Sequence, residues 1–292
     1  MSLKRRHFLP ALPSLLTGGA GTASATLAPA RPLQVVFPRP MRDVDPSTWF
    51  PLQLLKQALA ASGVSFELKA SDDVMVQSRA LKELETASNH LHIAWSMTSV
   101  QREQVLLPVR IPIFKGLYGW RLLLIPQGQQ AAWNDVDSLA SLKRMTLVQG
   151  HDWPDTDILR ANGLTVTTGT SFAALSRMLS MGRADGFPRS VLEIAWEQES
   201  QKQLFAIEPN LVLHYPTAVY FFVRPGDLRL AGLLESGLNR LLANGAFDAL
   251  FEKFHAKAIA DAGLHKRKLI ELHNPLLPEQ TPLLRKELWR LP

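Results

Sequence analysis

The sequence predicts an α/β protein of two lobes, each a mostly parallel sheet flanked by helices, with two strands crossing between them. Three observations carry that expectation. Up to residue 95, short apolar runs alternate with amphipathic stretches in the order strand, helix, strand, helix, strand, the pattern of a parallel sheet with crossover helices. A second set of alternations fills residues 145–198. Two apolar runs, 120–125 and 217–223, bracket that second set and can carry the chain across and back. Such a pair of crossings permits closure while blocking free rotation. A chain of 292 residues has room for two lobes with separate cores.

The elements follow in order. Leu33 to Phe37 is a β-branched apolar run stopped by Pro38 and Pro40, read as the first buried strand. A helix begins near Ser47, carries Leu52, Leu55 and Leu59 on one stripe and closes at Gly63. Val64 to Leu68 reads as a strand, Val74 to Ala87 as a helix and Leu91 to Trp95 as a third strand. After Pro126-Gln127-Gly128 the second set begins. It comprises a strand at Met145 to Val148, a helix at Asp155 to Ala161 capped by Asn162-Gly163, and a strand at Leu164 to Thr168. Ser171 caps a helix with the stripe Leu175, Met178 and Leu179, ended by Gly182. A short strand at Ala184 to Phe187 and a helix at Val191 to Gln198 complete the set. Beyond the crossing at 217–223, Leu230, Leu234, Leu238 and Leu241 follow helical spacing to Asn244-Gly245, and Phe247, Leu250, Phe251 and Phe254 repeat the pattern. From Gly263 the sequence reads as an extended tail on the first lobe, anchored by Leu283, Leu284, Leu288 and Trp289.

Composition narrows the function classes. Apolar content of 46% and charged content of 20% are those of a globular chain. Lys4, Arg5 and Arg6 precede an apolar run, Phe8 to Leu16, and small residues ending in Ala23-Ser24-Ala25. That is the pattern of a cleaved export signal, with cleavage after Ala25 or Ala30. The run Lys4-Arg5-Arg6-His7-Phe8-Leu9 resembles a twin-arginine motif without the usual preceding Ser or Thr, so twin-arginine and Sec export both stand. Cleavage after Ala25 removes three basic residues and no acid, turning the formal charge of +6 into +3. The absence of cysteine excludes a disulfide framework, a zinc–thiolate site and a cysteine nucleophile. Basic residues are scattered and not interleaved with aromatics, which argues against nucleic acid as a partner.

The chemistry concentrates in Ile93 to Ile125. An apolar strand ends at Trp95 and Ser96, a polar turn holds Thr98, Ser99 and Arg102, and a second apolar strand follows Gly119. A strand that stops at hydroxyls and an arginine points donors out of a sheet edge, where open α/β sheets hold ligands. The order of hydroxyls, arginine, Pro112-Ile113-Phe114 and a glycine before a crossing strand resembles the periplasmic solute-binding proteins of family 3, carriers of polar amino acids. The resemblance extends over about Leu33 to His255. It implies a two-lobe periplasmic binding protein-like fold of type II. Residues 31–121 and 220–292 would form lobe 1 and residues 122–219 lobe 2. It also implies a periplasmic, non-enzymatic protein working as a monomer with an inner-membrane permease of an ABC transporter.

In that family an arginine after the third strand clamps the ligand's carboxylate, and Arg102 fits that position. Its planar fork of donors matches two carboxylate oxygens. Ser96 and Thr98 would add bonds, and Trp95 would form an apolar wall or part of the core. Arg39 and Arg42 end the first strand on the same edge, hinting at an anionic guest or a solvated loop. Where the family has Gly-Thr-Thr, this chain has Gly150 followed by His151, Asp152 and Trp153 before a helix N-terminus, which favours anions. With Thr170 and Ser171 these are the second-lobe candidates. Gly182-Arg183-Ala184-Asp185-Gly186 resembles the family's Gly-Arg-Val-Asp-Ala, with Asp185 read as structural. The aspartate that holds an α-ammonium has no counterpart in Phe187-Pro188-Arg189-Ser190. A buried ammonium without a counter-charge is costly, which argues against an ordinary α-amino acid.

Rival classes remain open. A sensory module reporting to a sensor kinase would use the same closure. A dehydratase of cyclic acids on this scaffold would need a general acid, for which His151 or Asp152 are the candidates. No G-x-S-x-G, H-E-x-x-H or phosphate loop is present. His90 and His92 alternate onto one strand face without a third ligand nearby, which favours a solvated strand start over a metal site. No catalytic residue, cofactor or metal is assigned.

Overall fold

The computed structural model describes residues 31–39, 45, 48–86 and 90–290. The export signal, Pro40, Arg42, Ser47 and Ala87 lie outside the described residues. Among the described residues four hydrogen-bonded sheets line up as two composite sheets of the same strand order. In the first, β1 (Leu33–Arg39) pairs in parallel with β2 (Phe66–Val74), Val35 opposite Leu68. The chain entering β3 (Ile93–Met97) lies along the other edge of β1, through His92 N–H to the Val36 carbonyl and Val36 N–H to His92 Nδ1, both 2.9 Å. Next to β3 comes β11 (Val219–Val223), antiparallel to it and to β4 (Leu107–Val109).

The second sheet repeats this order. β6 (Thr146–Gly150) and β7 (Thr165–Gly169) are parallel, and a Leu147–Gly186 bridge joins β6 to the chain entering β8 (Phe187–Ser190). Then comes β5 (Trp120–Pro126), antiparallel to β8, to β9 (Phe205–Ile207) and to β10 (Leu211–His214). Each sheet is therefore completed by an antiparallel strand delivered from the other half of the chain. The sequence placed the two crossing strands at these positions but gave no sign of their antiparallel insertion.

Alternation along the first sheet divides its two faces. Val35 and Phe37 of β1 and Val219, Phe221 and Val223 of β11 join the larger core under α1 (Phe50–Ser62), α8 (Leu228–Ala243) and α9 (Ala246–Ala262). Val36, Ala94, Tyr220 and Phe222 face a smaller cluster with Leu81 and Leu84 of α2 (Gln77–Glu85). A period of two on strands sorts side chains this way. Separate cores were expected, but the larger cluster is continuous through Phe114, Leu117 and Trp120 into Leu122 to Ile125 and the second sheet. The crossing strand β5 is buried on both faces from Trp120 to Ile125, Arg121 being its one charge, so burial runs unbroken along it to Ile125.

Local differences from expectation have local causes. The strand expected at 184–187 lies at 187–190, where it pairs with β5, the expected span contributing the Leu147–Gly186 bridge; the charge of Arg189, which counts against a buried strand there, is paired with Glu197 inside the fold. The tail is not wholly on the first half: β12 (Lys268–Glu271) pairs in parallel with β10 on the second sheet. Leu288 is fully buried and Trp289 half-buried as anchors, whereas Leu283 and Leu284 are exposed, at 49% and 96%. Between β12 and those anchors the tail crosses back, with Asn274 Nδ2 donating to the Pro216 carbonyl (2.8 Å) and Val100 N–H to the Leu276 carbonyl (2.9 Å).

Two positions give direct tests of the packing. A Cβ on Gly237 of α8 would stand 1.9 Å from the Ala58 carbonyl oxygen of α1, whereas one on Gly232 of the same helix meets nothing within 4 Å. Gly237→Ala should lose ~1–3 kcal/mol or more by overpacking, and Gly232→Ala should gain up to ~1 kcal/mol of helix propensity; urea unfolding of both variants reads the difference.

His255 sits among Phe50, Phe114, Phe251 and Phe254, with ring centroids 4.6–6.3 Å away, and its buried Nε2 has no hydrogen-bond partner among the described residues. Burial pushes its pKa down from 6.5 to about 4. Because the folded state then resists protonation, its contribution is complete above pH 6.5 and is lost as the pH falls towards about 4. His255→Phe should therefore show a stability advantage that grows with acidification through this window, by up to about 3 kcal/mol, in chemical denaturation at stepped pH.

Candidate functional site

The site is built where β3 ends. Ser99 caps α3 (Val100–Val105), its hydroxyl accepting from Arg102 N–H at 3.2 Å. Arg102 in the first turn then folds its guanidinium back over the strand end. Nη1 donates to Ser96 Oγ and to the Met97 carbonyl, both at 2.7 Å. Nη2 reaches the other half and donates to the Asp152 carbonyl at 3.4 Å. Burial lowers the pKa of Arg102, opposed by the charges of Asp155 and Asp152. All three acceptors of Arg102 are neutral oxygens, and no carboxylate stands within ion-pair distance of it among the described residues.

Thr98 is buried beside this group, but its hydroxyl donates to Glu103 (2.5 Å), which also pairs with Arg110. Trp95 is half-buried, edge-on to Trp49 at 4.7 Å and to Phe221 at 6.1 Å, and packs against the core. Arg39 is not gathered with Arg102. It is exposed and tied to β2, its Nε donating to the Ser71 carbonyl and its N–H to Ser71 Oγ, both at 2.9 Å.

On the second half, His151 is exposed and its N–H donates to the Gly169 carbonyl at 3.1 Å. Asp152 is exposed too, its carboxylate 3.8 Å from His151 Nδ1. Trp153 precedes α5 (Pro154–Ala161) and folds over Gly150, where a Cβ would lie 2.4 Å from the indole. Thr170 and Ser171 are exposed, and the Ser171 hydroxyl caps α6 (Phe172–Ser180) by accepting from Ala174 N–H at 3.2 Å. Asp185 is structural in the expected way, accepting from Thr146 N–H at 2.7 Å. The structure thus brings together Ser96, Arg102 and the Asp152 backbone; the hydrogen bonds of Arg39 and Ser171 go elsewhere, and Thr170 follows Gly169, whose carbonyl is tied to His151.

A buried polar network lies behind these residues and escaped the sequence reading. Asp155, in the first turn of α5, pairs with Arg121 of β5 and accepts from the Tyr215 hydroxyl. Arg121 packs on the rings of Tyr118 and Tyr215, 6.0 and 5.7 Å from their centroids. Burial raises the pKa of both tyrosines, so both remain protonated donors. Arg189 of β8 donates from Nε and Nη2 to Glu197 of α7 (Ile194–Ser200), at 2.7 and 2.6 Å, and its Nη2 lies 3.1 Å from Glu193. Burial works to lower the pKa of Arg189, but Glu193 and Glu197 outweigh it and hold the guanidinium charged. The signals were Arg121 as a lone charge in an apolar strand and the spacing of Arg189, Glu193 and Glu197 at steps of four.

The two crossing segments meet beside this network. A Cβ on Gly119 would lie 2.1 Å from the Tyr215 carbonyl oxygen, and the Tyr215 N–H donates to the Gly119 carbonyl at 3.2 Å. Trp120 stacks on His214 at 4.1 Å.

This architecture is the two-lobe, Venus-flytrap fold of periplasmic binding proteins. An ancestral arginine-binding protein bound to arginine superposes with a TM-score of 0.56 at 16% identity, over 77% of this chain and 98% of its own. A periplasmic His/Glu/Gln/Arg/opine family-binding protein from Silicibacter pomeroyi, in complex with lysine, gives 0.56 at 10% identity, over 76% and 96%. A histidine kinase sensor domain with similarity to periplasmic binding proteins gives 0.56 at 15%, over 77% and 96%. No protein-family model and no curated protein matches the sequence.

Proposed function

We propose that the chain is an exported solute-binding protein whose lobes close over a small, polar, carboxylate-bearing molecule for ABC-type uptake. The observation that carries this is Arg102. It is a partly buried guanidinium reaching from one half to the other, and it is satisfied only by neutral oxygens. A desolvated cation with no carboxylate in ion-pair contact among the described residues, and only the more distant charges of Asp155 and Asp152 to offset its burial, is the group a carboxylate guest would complete. Ser96 holds one arm of the fork, Trp95 and Trp49 line the side of β3, and Trp153 borders the second half. In this reading lobe 1 comprises 31–121 and 220–292 and lobe 2 comprises 122–219, with β12 of the later segment added to the second sheet. The hinge is the paired crossing at Gly119 and Tyr215.

The same reading places the mature chain in the periplasm as a monomer. The basic, apolar and small-residue order of residues 1–25 supports export. No helix among the described residues is long and apolar enough to cross a membrane. A second reading, in which closure reports to a sensor kinase, is favoured by the shared fold of the histidine kinase sensor domain. A dehydratase finds less support, since His151 and Asp152, its candidate acids, are both exposed.

A thermal-shift screen of the mature protein over dicarboxylates, cyclic acids and amino acids should yield a stabilising carboxylate. Arg102→Ala should then weaken that ligand by roughly 30-fold or more, as expected for removing one partner of a buried charged pair. Retention of full affinity by the variant would remove the central residue of this proposal.

A further inference from the structure

The guanidinium of Arg189 is bound by its own protein as a basic guest would be. It is 6% exposed and lies 5.0 Å from the ring centroids of both Trp153 and Phe187 and 5.9 Å from that of Phe172. Glu197 meets it with two hydrogen bonds, and Glu193 adds a second carboxylate at 3.1 Å. Aromatic faces around a guanidinium, with carboxylates at its donor edge, are the chemistry by which proteins hold arginine side chains and other basic arms. Two carboxylates surround this one guanidinium.

The cage lies beside the interlobe contact. Trp153 follows directly on Asp152, whose carbonyl accepts from Arg102. Phe172 opens α6, and Phe187 and Arg189 belong to β8. The aromatic walls thus come from strand ends and helix starts of the second half, the same kind of edge that carries Arg102 in the first. A buried ion pair of this kind is a weak source of net stability, because desolvation offsets most of its attraction.

We propose that Arg189 is a specificity-determining residue. Its side chain fills the cation-binding cage from within, so the native protein excludes guests with a guanidinium arm, and shortening Arg189 opens the cage to them. This deepens the reading of Arg102 as a carboxylate clamp and rests on it for the placement of the guest. It also defines the guest class as carboxylates without a basic arm.

The test uses methylguanidinium as the probe and N-methylurea as its neutral counterpart, with the mature wild type and Arg189→Ala. Millimolar methylguanidinium should raise the melting temperature of Arg189→Ala by several degrees while leaving the wild type unmoved, and N-methylurea should move neither. An unresponsive Arg189→Ala overturns the proposal, as does a wild type that responds to the same extent. If Arg189→Ala does not accumulate in folded form, refolding from urea reads the same property. Recovery only in the presence of methylguanidinium supports the cage, and no recovery overturns it. Methylguanidinium has no carboxylate, so this result is independent of Arg102. L-arginine carries both groups and should bind Arg189→Ala more tightly than methylguanidinium does. Equal affinity of the two would sink the clamp at Arg102 while supporting the cage.

Discussion

The close approach of the two crossing segments is the constraint on which both sheets depend. Gly119 and Tyr215 run backbone against backbone, with room for no side chain at Gly119. From that contact β5 enters the centre of the second sheet and the chain through Ala218 leads β11 into the centre of the first. Neither sheet can close its hydrogen bonding without a strand sent by the other. The shared contact therefore ties the register of one half to that of the other, and with it the positions of β3 and the loop at Asp152 that meet through Arg102.

Around that contact the fold sorts its charges into spent and unspent. Arg121 with Asp155, Arg189 with Glu193 and Glu197, and Arg110 with Glu103 are paired within the protein. Burying such pairs is tolerable because carboxylate partners replace most of the lost hydration, although the buried Nε of Arg121 has no hydrogen-bond partner among the described residues. Arg102 is the contrast, holding only hydroxyl and carbonyl oxygens at the junction. The distinction matters more than the number of arginines, since a paired guanidinium has little left to offer a guest.

The helices and strands were legible because their periodicities are local: Leu230, Leu234, Leu238 and Leu241 on α8, or the run at 219–223. Arg102 was legible because Ser96, Thr98 and Ser99 precede it within one turn of chain. The Arg189 cage was not, because its walls come from residues 153, 172 and 187, brought together only by the pairing of β6, β7 and β8. For the same reason Arg39 looked like a partner of Arg102. Strand ends that share an edge in outline need not share a space, and Ser71 on the neighbouring strand claimed it. The tail's return to the second sheet through β12 rests on four residues, Lys268 to Glu271, too few to show a period.

The last described segment also has a bearing on how the protein can be handled. Its Leu276 carbonyl takes the first amide of α3, and further on Lys115 donates to the Glu287 carbonyl at 2.8 Å while Trp289 lies against Gly116. The chain's closing stretch thus acts as a guy-rope fixed at once to the helix that aims Arg102 and to the approach to the crossing. A fluorophore, tag or fusion partner attached there would pull on both anchor points, so the choice of attachment site is itself a mechanical perturbation of the placement of Arg102.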